Sequence, residues 1–219
     1  VLDATPDATP DATPLAAPVH RVLTPKIHYY GTPVALLSTE NSDGSANLAP
    51  MSSLWWLGQV AVLGLSTRGK TFENLEARRE IVINLASAEL AAAVDRLALT
   101  TGTDPVPAYK AAVGTEYVKD KFTRAGLTPV PADLVRPPRV AEARIALEGR
   151  VEGVMTVGEA GVHAALEVRI LRTHVDEALL DAAKRHHIDP DRWQPLMMNF
   201  LELYAGGGRV RESRLAKVF

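Results

Sequence analysis

The chain contains no cysteine, which removes disulfides, thiolate nucleophiles, iron–sulfur ligation and CxxC redox centres from consideration. Any redox chemistry must then live on a cofactor. No uninterrupted apolar run approaches the roughly 18 to 20 residues that span a bilayer, and no basic stretch leads into an apolar one near the start. A cytoplasmic protein with no membrane partner is the expectation. A block of Lys and Arg is also missing. The formal net charge is -2 at pH 7, and without a basic stripe to track a phosphate backbone no nucleic-acid partner is expected. HExxH and paired Cys/His spacings are absent, as is a serine in a nucleophile elbow, so the residues suggest neither a metal site nor an acyl-transfer triad. What remains is a chain of 219 residues, 47% of them hydrophobic. One domain of that size buries about 70% of its unfolded surface and has room for a pocket.

Residues 3–14 repeat Asp-Ala-Thr-Pro three times; the prolines remove backbone donors and favour extended, solvated chain. Residues 1–31 therefore read as a low-complexity arm, either a free tail or a strap across a dimer partner, and residues 32–219 as a single domain. Strands are expected over 33–40 and 46–57, joined by the turn cluster Asn41-Ser-Asp-Gly-Ser45, then over 60–65 and 80–85, with a helix over about 70–79 between the last two. Ser87 is placed to N-cap a helix running to about Leu99. The Pro- and Gly-dense stretch 102–138, with a short helix around 119–125, is long enough to be a functional loop near a pocket mouth. Two longer strands follow, 140–157 and 162–174, and then a helix near 176–185. Six or so strands joined by short turns make a mainly β protein with flanking helices, an antiparallel barrel or sandwich rather than a doubly wound sheet.

Gly64-Leu-Ser-Thr-Arg-Gly-Lys-Thr71 matches the P-loop pattern letter for letter, with a strand before it and a helix after it. A P-loop NTPase also needs a metal-binding Asp at the end of a second buried strand and βαβ alternation; neither is visible, so that reading stays an alternative. The narrower inference holds under both readings. Ser66, Thr67, Arg68, Lys70 and Thr71 place hydroxyls and two cations at a helix N-terminus, a good seat for a phosphate.

Asn47-Leu-Ala-Pro-Met-Ser-Ser53 with its Trp pair, Ser66-Thr-Arg-Gly-Lys-Thr-Phe-Glu-Asn-Leu75, Ile81-Val-Ile-Asn-Leu85, Asp120-Lys-Phe122 with Ala125-Gly-Leu127, Pro137-Pro-Arg139 and His186-His-Ile-Asp-Pro-Asp-Arg-Trp193 follow one another in an order that resembles the flavin reductase-like family of FMN-binding split barrels. The resemblance covers residues 32–200. It implies an antiparallel split β-barrel and a homodimer whose partner completes the pocket. It also implies FMN as cofactor and NAD(P)H as co-substrate. By position, Asn47, Ala49, Pro50, Met51, Ser52 and Ser53 would line the isoalloxazine ring. Ser66, Thr67, Arg68, Lys70 and Thr71 would hold the FMN phosphate, with Asn74 reaching the same site. The Arg68-Gly69 pair before the lysine departs from some relatives and leaves open how many loop N–H groups face the phosphate.

Hydride transfer from nicotinamide to flavin needs alignment and stacking rather than a protein nucleophile, so no catalytic residue is assigned; His186 and His187 are candidates to donate to the nicotinamide amide or to a flavin-bound substrate. The expected activity is an NAD(P)H-dependent flavin oxidoreductase, acting on free flavin and passing reduced flavin to a monooxygenase. Three alternatives stay open. One is an FMN-dependent tailoring oxidoreductase acting on a small organic substrate, another a non-catalytic flavin- or haem-binding barrel with His174, His186 or His187 as axial ligand, and the third the P-loop NTPase.

Overall fold

A computed structural model describes residues 16–158, 161–184 and 186–210, so the Asp-Ala-Thr-Pro repeat lies outside the described residues. Seven strands form one antiparallel sheet: β1 (Ala35–Glu40), β2 (Ala46–Met51), β3 (Leu54–Leu57), β4 (Val60–Ser66), β5 (Glu80–Leu85), β6 (Ile145–Val157) and β7 (His163–Val175), in the spatial order β2-β1-β5-β6-β7-β4-β3. The two edge strands, β2 and β3, are consecutive in the chain and separated only by Ser52 and Ser53. A sheet whose opposite edges are tied by two residues has to curl until those edges meet. Two register shifts in the β6–β7 ladder, at Glu148/Gly149 and Val151/Gly153, add local twist.

Side-chain alternation divides the apolar residues between two cores. Leu37, Leu63, Ile81, Ile83, Leu147 and Leu166 point inside the curl, where helix α1 (Lys70–Arg78) adds Phe72 and Leu75. Leu36 and Leu48 point outward from the same strands and are covered by α2 (Ala91–Ala98) and α3 (Lys121–Ala125), through Val94, Leu97 and Phe122. Both helices follow from the sequence: α2 carries its apolar residues at helical spacing, and α3 starts at Asp120, whose Oδ1 accepts from the Thr123 N–H at 3.0 Å.

Four expectations need correction. The strand expected over 46–57 is two strands, because after Met51 the chain leaves one edge of the sheet and joins the other. The strand expected from 140 begins at Ile145; Arg139–Val140 instead pair with Pro129–Val130. The helix near 176–185 reduces to one 3-10 turn, Glu177–Leu179, and Arg185 lies outside the described residues. There Leu179 is fully buried in the inner core and Leu180 makes an antiparallel bridge to Ile188, so tertiary contacts override helical propensity. Lastly, Tyr30–Pro33, whose first two residues belong to the expected arm, pairs with a hairpin, Leu196–Asn199 and Glu202–Ala205. Ser87 does precede a helical turn, but its hydroxyl makes no capping bond.

Candidate functional site

The segments 47–53 and 64–71 are brought together at both ends. At one end the Gly64 N–H donates to the Ser53 carbonyl at 2.7 Å, and a Cβ on Gly64 would stand 3.0 Å from Ser53 Cβ, a tight contact that glycine avoids. At the other, Asn47 Nδ2 donates to Thr71 Oγ1 at 3.2 Å. Strand β2 pairs with β1 alone. Its second edge offers backbone amide groups with no ladder partner among the described residues, and Pro50 has no N–H to give on either side.

The 66–71 turn explains its own shape. Gly69 N–H bonds back to the Ser66 carbonyl at 3.2 Å, Thr67 N–H to the Val162 carbonyl at 3.0 Å and Arg68 N–H to Ser66 Oγ at 3.3 Å. The amides of Thr67, Arg68 and Gly69 are thus bonded within the protein. The donors left for an anion are the first-turn N–H groups of α1, which have no carbonyl one turn earlier, with the Thr71 hydroxyl and the Lys70 ammonium. Lys70 Nζ rests on Glu73 at 2.7 Å, a partner that is mostly exposed. Arg68 lies over the Tyr109 ring, 5.9 Å from its centroid, and the Tyr109 hydroxyl donates to the Arg68 carbonyl. The long 102–138 segment therefore does close on this turn.

Behind the turn is a buried polar network with no obvious signal in the sequence. Asn47 is only 1% exposed; besides Thr71 it donates to Thr39 Oγ1 at 3.1 Å, and its Oδ1 accepts from Lys121 Nζ at 3.1 Å. Asn74, also buried, donates to Thr39 Oγ1 and to Asn41 Oδ1. Asn47 and Asn74 thus brace the seat from inside, while Ala49, Pro50, Met51 and Ser53 are half-buried and Ser52 is buried. Lys121 is 4% exposed, and burial, followed by the charge of Lys110, pushes its pKa down to about 8. Lys110 donates to Thr101 Oγ1 at 3.1 Å, and burial lowers its pKa too. A cavity of about 210 Å³ opens in front, between Asn41, Asn47, Lys70, Gly102, Tyr117 and Lys119. A Cβ on Gly102 would stand 3.0 Å from both Asn47 Oδ1 and Lys70 Cγ, a crowding that glycine avoids.

His163 pairs with Ser66 in the β7–β4 ladder, whereas His174, His186 and His187 make no hydrogen bond to the seat among the described residues. His186 occupies an exposed left-handed turn. The hydrogen bonds fixing that turn run between His187 and Lys184 or Asp181 and from Asp189 to Leu179, none to β2 or the 66–71 turn. His174 Nε2 is 2.5 Å from Glu148 Oε1. Glu148 also accepts from the Asp133 and Leu134 N–H groups, and Asp133 pairs with Arg172 at 2.5 Å. That cluster spends its ligand atoms on hydrogen bonds and ion pairs. The Trp pair divides as alternation requires: Trp55 is exposed and Trp56 packs on the inner core.

The seven-stranded sheet is antiparallel throughout, which is not the parallel, helix-flanked sheet of a P-loop NTPase. Residues 27–200 match the model of the flavin reductase like domain, and the chain belongs to that family. The sequence is 38% identical over 188 residues to the uncharacterized protein YdfE of Bacillus subtilis (strain 168), covering 86% of this chain and 90% of that one. In structure it is similar to flavoredoxin of Desulfovibrio vulgaris (Miyazaki F), with TM-score 0.73 and 21% identity over 91% of this chain and all of that chain. It is also similar to nitrilotriacetate monooxygenase component B from Bacillus cereus, with TM-score 0.71 and 19% identity over 90% of this chain and all of that chain. Among the described residues no helix is long and apolar enough to cross a membrane.

Proposed function

We propose that this protein is an FMN-dependent NAD(P)H:flavin oxidoreductase that acts as a cytoplasmic homodimer and delivers reduced flavin to a monooxygenase. The observation that carries the reading is the joining of an unpaired strand edge, Asn47–Ser53, to a cationic helix N-terminus, Lys70–Thr71, within a flavin reductase like domain. The donor set fits FMN. A phosphate dianion suits Lys70, the Thr71 hydroxyl and the first-turn amides, and a flavin's amide-like edge suits unpaired strand backbone. Gly64 and Gly102 sit where a Cβ would crowd Ser53, Asn47 and Lys70.

When bound, the flavin supplies the ring position that accepts hydride from the nicotinamide. This chain's residues supply the rest. Lys70 and Thr71 would hold the phosphate and Ala49 to Ser53 would bind the ring, while Tyr109, stacked on Arg68, would steady the phosphate turn. In support of the dimer, Trp55 and Leu57 on the edge strand β3, and Val154, Met155 and Val157 on β6, are exposed apolar residues that a second copy would cover. His186 and His187 are kept as candidates for the nicotinamide side.

The test is the visible spectrum of the purified protein, read again after NADH or NADPH without oxygen and then with free FMN under air. Flavin absorbance that bleaches with a nicotinamide, followed by turnover of added FMN, is expected. Bound flavin that bleaches without turning over free flavin would move the reading to an oxidoreductase of a small organic substrate. A protein that neither carries nor takes up flavin would refute it.

A further inference from the structure

Lys121 presents an unusual balance of charge. The residue is 4% exposed and its ammonium carries three donors, yet its one hydrogen bond among the described residues goes to a neutral amide oxygen, Asn47 Oδ1. No carboxylate lies within salt-bridge distance of it among the described residues, and the Lys110 ammonium is near enough to act on it by charge. The stem of Lys70 lies beside Asn47 across Gly102, while its ammonium pairs with the exposed Glu73. The cavity in front is lined by Lys70 and Lys119 and by the carboxylates of Asp43 and Asp104, Asp43 being paired with Lys119, and none of these carboxylates is within salt-bridge distance of Lys121. Burying a cation without an anion is costly, and a bound anion would remove that cost.

The hydrogen-bond polarity gives the lysine a second effect. An ammonium donates and never accepts, so Asn47 must turn its oxygen toward Lys121 and its NH2 toward Thr39 and Thr71. The Thr71 oxygen is thereby an acceptor from Asn47, and its own hydrogen stays available to donate. That polarity suits an anion.

We propose that Lys121 is a positioning residue of the phosphate seat: through Asn47 it holds the Thr71 hydroxyl as a donor, and its buried charge is matched by the phosphate of FMN. The proposal rests on the reading that this seat holds the flavin phosphate, and comparison of FMN with riboflavin, which lacks that phosphate, separates the two. Dissociation constants for both flavins are read by quenching of flavin fluorescence, with melting curves of the flavin-free proteins. Lys121→Met is expected to weaken FMN by about tenfold or more, the loss of one charge-assisted contact, and to leave riboflavin within about twofold. Asn47→Asp gives Lys121 its anion and takes away the donor that orients Thr71. It is expected to melt no lower than the wild type while losing FMN affinity by at least the same factor, and it carries the test if Lys121→Met does not fold. Folded variants that keep the wild-type ratio of FMN to riboflavin affinity would overturn the role of Lys121 alone. A wild type that binds riboflavin as tightly as FMN would overturn the phosphate-seat reading and this inference with it.

Discussion

Replacing Glu148 by Gln tests the best-buried charge in the molecule. Glu148 lies on the central strand β6 with no solvent exposure, and its carboxylate accepts from three donors: Asp133 N–H at 2.9 Å, Leu134 N–H at 2.6 Å and His174 Nε2 at 2.5 Å. These bonds tie the 131–138 segment to the sheet, where Val135 packs on Val82 and Ala146. Gln keeps the shape but has one acceptor oxygen, so its NH2 must face one of the donors. One buried N–H loses its partner at about 1–3 kcal/mol, and the remaining bonds lose their charge assistance at about 1 kcal/mol together. We expect Glu148→Gln to lower the unfolding free energy by about 2–4 kcal/mol at pH 7, read by urea unfolding with an unchanged m-value. The pH dependence has a fixed sign. Burial acts to raise the Glu148 pKa, but the Asp133, His174 and Leu134 hydrogen bonds outweigh it and hold the carboxyl below its ordinary value. Its contribution is therefore complete above the unfolded carboxyl's range, around 4.5, and is lost as pH falls through the lower folded value. The gap between wild type and variant should stay level in that respect above pH 4.5 and close below it. A gap under about 0.5 kcal/mol at pH 7, the level of an ordinary surface substitution, would refute the argument.

Thr71→Val removes the hydroxyl with little change in volume; FMN should bind about 10-fold or more weakly, as expected for one hydrogen bond to a charged group, with riboflavin unaffected in the same fluorescence titration. Lys121→Met should change sign with pH. The folded lysine titrates about 8 and the unfolded one near 10.5, so the unfolded chain holds more protons between those values and wild-type stability rises across that window. The variant should be the more stable at pH 7 by up to about 3 kcal/mol, less about 1 for the lost bond to Asn47, and lose that advantage by pH 10 in urea unfolding. Gly149→Ala would put a Cβ 2.6 Å from Val168 Cγ1 and 3.1 Å from the Arg169 carbonyl at the β6 bulge; an overpacking cost of about 1–3 kcal/mol should appear as a lowered melting temperature.

Local pattern determined much of this protein. Alternating apolar residues with Gly and Asn turns mark β1, β4, β5 and β7 close to their observed bounds, because a half-buried strand must show period two. Lys70–Arg78 and Ala91–Ala98 are legible from helical spacing. The order of short motifs points to the family, and the hydroxyl and cation cluster at 66–71 points to an anion. Tertiary structure decided the rest. That β2 and β3 sit at opposite edges of one sheet depends on seven strands curling together, which the continuous run 46–57 cannot display. Leu179 and Leu180 leave the helical pattern because one enters the core and the other pairs with Ile188. Asn47 is buried and bonds to Thr39, Thr71 and Lys121, contacts that its place in Asn47-Leu-Ala-Pro does not display. Lys121 itself looks like an ordinary solvated lysine in Asp120-Lys-Phe122. Only the packing of α3 over β2 takes its ammonium out of water, and burial is a property of the neighbours that surround a residue rather than of the residue.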